Sequence, residues 1–77
     1  RDRRGIVEFT VEGYNERAFI SMNQQQVQQL EIDDGNTIQV VDIDRNKPFA
    51  IVLPINAGNI TFYDVNRNTV EYWNNPL

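Results

Sequence analysis

The chain has 77 residues, with 7 Lys plus Arg against 11 Asp plus Glu, a net charge of −4, no Cys and no His. That length supports one small core, so function must sit on the surface of a single scaffold. Without Cys or His, disulfides, cysteine zinc sites, thiol catalysis and the commonest general base are excluded.

Charge is unevenly placed. Arg1, Arg3 and Arg4 open the chain and the rest is acidic, a balance that disfavours broad phosphate binding. Residues 1–77 read as one domain, with residues 1–5 a basic arm and residues 74–77 a tail. No run approaches the length of a membrane span and none reads as a signal peptide. The expectation is a cytoplasmic protein with no membrane contact.

Residues 6–11 alternate as a strand: Ile6, Glu8 and Thr10 share one face, and Val7, Phe9 and Val11 form a wholly apolar one. Glu12, Gly13 and Asn15 supply turn chemistry. Residues 17–22 read as a second strand, with Ala18, Ile20 and Met22 on one side. Next comes the one helix candidate. Asn23 is a good N-cap, Gln26 completes a capping-box pattern, and Val27 and Leu30 form an i, i+3 apolar stripe.

Asp33, Asp34, Gly35 and Asn36 form a turn, and residues 37–43 a strand with Ile38 and Val40 on one face. Residues 49–54 are denser in apolar side chains and are expected at the centre of a sheet. A turn over 56–58 separates them from strands over 59–63 and 69–73. Six short strands and one short helix, divided by regular turn signals, point to a small, mainly β barrel or sandwich, with a six-stranded barrel carrying one short helix the first expectation.

The segment from Ile38 to Asn46 is echoed by the segment from Ile60 to Asn68. The echo predicts two hairpins with the same turn, Asn46 and Asn68 taking the left-handed position that Asn tolerates. Asp42, Asp44 and Asn46, and likewise Asp64, Asn66 and Asn68, match the first half of a calcium loop. Lys47 and Thr69 stand where that loop requires Gly, and Leu53 and Asn75 where it requires Glu. No metal site is therefore expected.

Ser21 and Lys47 are the sole residues of their type, and no His can activate either. No catalytic residue, enzyme activity or cofactor is expected. Tyr14, Tyr72 and Trp73 are the candidate partner-binding residues, because Tyr and Trp are enriched at interface hot spots.

The stretch from Phe19 to Val40, an apolar strand, a capped short segment ending Leu30-Glu31-Ile32, then Gly35-Asn36-Thr37-Ile38-Gln39-Val40, resembles the strand–helix–strand unit of double-psi and cradle-loop β-barrels. It is most similar to the amino-terminal domain of the valosin-containing AAA ATPases, and Phe49 to Leu53 resembles the next strand of that family. AbrB-type transcription factors and antitoxins share the unit. Asn36 replaces the family's Asp, and one unit is present where a double-psi barrel needs two.

The first resemblance implies a non-catalytic protein-interaction or assembly module that binds a protein partner or a second copy. The second implies a dimeric DNA-binding regulator, which would use Arg1, Arg3, Arg4 and Arg17. The acidic body makes nucleic acid the weaker expectation.

Overall fold

Strand-forming β-branched and aromatic residues recur along the chain between Gly, Asn, Asp and Pro turns. In the computed structural model, which describes residues 5–76, they form eight strands. These are β1 (Ile6–Thr10), β2 (Glu16–Ser21), β3 (Val27–Asp33), β4 (Ile38–Asp42), β5 (Phe49–Pro54), β6 (Asn59–Asp64), β7 (Thr69–Val70) and β8 (Tyr72–Pro76).

Two four-stranded sheets result: sheet A in the order β5-β2-β1-β8, and sheet B in the order β4-β3-β6-β7. All pairings are antiparallel except β1 with β8, which is parallel. The expected six-stranded barrel with a helix is not what forms: neither sheet closes, and there is no helix among the described residues.

The core lies between the sheets. Ile6 and Phe19 from sheet A meet Val27, Leu30, Ile32, Ile60, Phe62 and Val70 from sheet B. Phe19 packs edge-on against Phe62 and Tyr72, with ring centroids 5.3 and 5.1 Å apart, and Phe49 stacks on Phe62 at 5.7 Å. Such pairs add to area burial through their ring quadrupoles.

The helix expected after Asn23 is replaced by a tight turn and β3. Asn23 and Gln26 both take positive φ, 60° and 57°, which no α-helix allows. Asn23 is buried and fully used. Its Oδ1 accepts from the Val27 amide at 2.7 Å, and its Nδ2 donates to the carbonyls of Val27 (3.1 Å) and Asp44 (3.0 Å). Val27 and Leu30 both reach the core because the β3–β6 register shifts between Val27 and Gln29. That bulge changes strand parity, so an i, i+3 spacing serves one face of a strand.

Other expectations are corrected in the same way. The strand at 49–54 is the edge of sheet A, not its centre. Residues 74–76 belong to β8 and are paired with β1. Of the two echoed segments, the second makes a hairpin (β6 with β7), whereas the first crosses from sheet B to sheet A. The left-handed residue of the hairpin is Arg67, and neither Asn46 nor Asn68 takes positive φ.

What the two turns share is an Asp carboxylate bonded to the amide two residues on: Asp44 to Asn46 at 2.9 Å and Asp64 to Asn66 at 2.8 Å. Asp34 caps the β3–β4 turn similarly. The amides of Thr37 and Asn36 hold its carboxyl below the usual aspartate range.

Candidate interaction surface

A two-sheet protein ordinarily turns the apolar side of each strand inward and the polar side to water. Sheet A does the reverse on its two middle strands. Glu8, Arg17 and Ser21 point inward with Ile6 and Phe19. The wholly apolar side of β1, Val7 and Phe9, therefore points out.

The pairing register assembles the outer surface row by row. Trp73, Val7, Ile20 and Ala50 lie across one line, and Asn75, Phe9, Ala18 and Val52 across the next. Pro54 and Glu16 continue it on the following line. Glu16 is the one charged residue of the three rows.

A buried ionic network fixes this choice of face. Arg17 Nε donates to Glu8 Oε2, Nη2 donates to the Tyr72 hydroxyl at 3.3 Å, and Nη1 donates to the Gly58 carbonyl at 3.4 Å. Asn74 Nδ2 donates to Glu8 Oε1 at 3.2 Å. The guanidinium carbon also lies 5.2 Å from the centre of the Phe19 ring. No buried side-chain N or O among the described residues lacks a partner. Slipping β1 or β2 by one residue would expel this pair and break every bond in it, so the network specifies register.

The outer surface is not flat. Ala18, the small residue of the middle row, leaves a hollow of about 450 Å³ walled by Phe9, Val11, Tyr14, Ile20 and Val52, with Glu16 at its rim. That volume is in the range of sites that take an organic group. Tyr14 is 70% exposed beside it and Val52 59% exposed. At the other end of the surface Trp73, also 59% exposed, rests on Gly5, where even a Cβ would come within 2.8 Å of the indole nitrogen.

The three aromatic candidates therefore part company. Tyr14 and Trp73 are exposed on the sheet A side, while Tyr72 turns inward against Phe19 and Phe62 and holds Arg17. Sequence reasoning missed Phe9, Val11, Ala18, Ile20 and Val52 as surface residues. Their signal was present in the apolar side of β1 and in the Ala18, Ile20, Met22 alternation.

Among the cationic candidates, Arg1, Arg3 and Arg4 lie outside the described residues. Arg17 is committed to Glu8 and would have to leave it to meet a phosphate. Ser21 is buried, its hydroxyl accepting from the Asn23 amide at 2.9 Å. A further hollow of about 940 Å³ at the Trp73 end is lined by Gln24, Gln25, Asp64 and Glu71 among others. Among the described residues no group of three or more Asp or Glu is placed to hold a metal ion. The described residues contain no helix long and apolar enough to cross a membrane.

Comparison with protein-family models, with curated proteins and with solved structures returns no match.

Proposed function

We propose that this chain is a non-catalytic interaction or assembly module whose working surface is the outer face of sheet A. The observation that carries the proposal is the inverted alternation of β1 and β2. A folded chain that buries Glu8 and largely covers Arg17 while exposing Ile20, Val52 and Trp73 keeps an apolar patch that water alone does not favour. Patches of this kind mark places where another surface packs.

The inward groups support the same reading. Glu8 and Arg17 neutralise each other, and the Ser21 hydroxyl accepts a backbone amide. The polar groups with burial enough for chemistry are thus occupied in holding the fold. Sheet B offers no equal of this surface: Ile38 and Val40 are exposed there, but Asp33 and Glu31 lie directly opposite them, and Gln29 and Asp42 form the next row of that side.

A photoreactive residue placed at Val52, and separately at Val40, tests the proposal in the cells from which the chain comes. A discrete adduct from position 52 that is absent from position 40 is expected. No adduct from either position, or the same adducts from both, would refute the reading.

A further inference from the structure

We infer that the occupant of the outer face of sheet A is a second copy of this chain, packed face to face about a two-fold axis. This rests on the proposed interaction role of that face. The chain is a slab with extents of 34 × 34 × 16 Å, and the outline of a whole broad side, the surroundings of the apolar rows included, is on the order of 900 Å², against about 800 Å² per partner in a stable interface. The narrow sides fall well short of that.

A two-fold interface uses the same patch on both copies, so the patch must complement itself. This one carries a hollow over Ala18 and an exposed aromatic, Trp73, displaced from it by two strands and one row. An axis lying in the face and perpendicular to the line joining them seats each Trp73 over the other copy's hollow. The floor of the hollow is apolar, which suits an indole. Its one rim charge, Glu16, can turn to water or bond the indole N–H.

The net −4 of each copy opposes self-association only where the charges meet. Glu16 aside, the three rows at the centre of the contact are uncharged.

Trp73 is the sole tryptophan, so its fluorescence reports directly on the proposed contact. Light scattering and emission spectra are to be recorded on the purified 77-residue chain from about 5 μM to about 1 mM, the range in which weak dimers dissociate. The mass is expected to rise from 9.0 kDa to twice that value, with the emission moving to shorter wavelength in step. Trp73→Ala and Val52→Lys, each checked for a native circular dichroism spectrum, are expected to weaken the dimer at least tenfold. Val40→Lys, on the outside of sheet B, should leave it unchanged.

A chain that stays monomeric throughout overturns the inference, as does a dimer that Val40→Lys breaks and Val52→Lys does not. A monomer that still gives an adduct of another mass from position 52 refutes the second copy while leaving the interaction role intact. No position-52 adduct at all removes both.

Discussion

At the scale of single residues, Asn23 shows how one side chain replaces an element. The sequence reading makes it the N-cap of a helix, and for an N-cap, Ala costs about 1 kcal/mol and Gly only a few tenths. The structure assigns it a larger task. It sits at φ 60°, buried, and joins the β2–β3 turn to Val27 and to the crossing segment at Asp44. Asn23→Ala therefore leaves a buried Val27 amide without its acceptor and puts a Cβ-bearing residue with no local bonds at positive φ, for a combined loss of about 3 kcal/mol. Asn23→Gly removes the conformational part but not the lost bonds, leaving a loss of about 2 kcal/mol. Urea midpoints at constant slope measure both. A Gly variant within a few tenths of wild type would restore the helix-cap reading. Nothing in a single sequence distinguishes the two roles, because Asn serves both, and the partner that decides, the Asp44 carbonyl, is remote in the chain.

At the scale of elements, the β5–β6 connection carries the chain from sheet A to sheet B, and Gly58 is its tight point. It has φ +128°, and a Cβ there would lie 2.3 Å from the Asp33 carbonyl oxygen at the end of β3. That neighbour is backbone in a paired strand, since Asp33 faces both Ile38 and Asn59. Gly58→Ala must then displace β3 or the start of β6, and a loss above about 3 kcal/mol with broadened thermal unfolding is expected. Gly35→Ala is the control: its φ is +95° but nothing lies within 4 Å, so only conformational strain remains, on the order of 1 kcal/mol. Equal effects at the two positions would show that the close approach to Asp33 does not matter. Most strands were legible because period-two alternation is local. The missing helix was not, because the bulge at Val27–Gln29 makes a strand imitate helical spacing. The parallel strand β8 was read in part as a tail, since Asn74, Asn75 and Pro76 are poor strand formers that β1 holds in place from the far end of the chain.

At the scale of the whole molecule, the deciding fact is which side of sheet A faces in. Val7 and Phe9 are the more apolar side of β1, yet the side with Glu8 is buried. Its compensation comes from Arg17, Tyr72, Asn74 and Gly58, gathered from β2, β8 and the β5–β6 turn. No window of sequence contains that set, which is why the candidate surface was legible only through Tyr14 and Trp73. The apolar face left outside has a thermodynamic consequence. If two copies cover it for each other, unfolding releases two chains from one dimer, and stability rises with concentration by mass action. Each tenfold rise adds about 1.4 kcal/mol per dimer, or about 0.7 kcal/mol per chain. For a domain of this length that is a rise in Tm on the order of 4 °C per decade of concentration. A monomer with the same fold has no such slope. Trp73→Ala is the informative variant, because Trp73 lies outside the core and its loss should change the stability of the isolated monomer by no more than about 0.5 kcal/mol. Calorimetric scans across two decades of concentration are expected to give a sloping Tm for wild type and a flat one for the variant. A flat line for both would mean that the apolar face of sheet A is not covered by a second copy in solution.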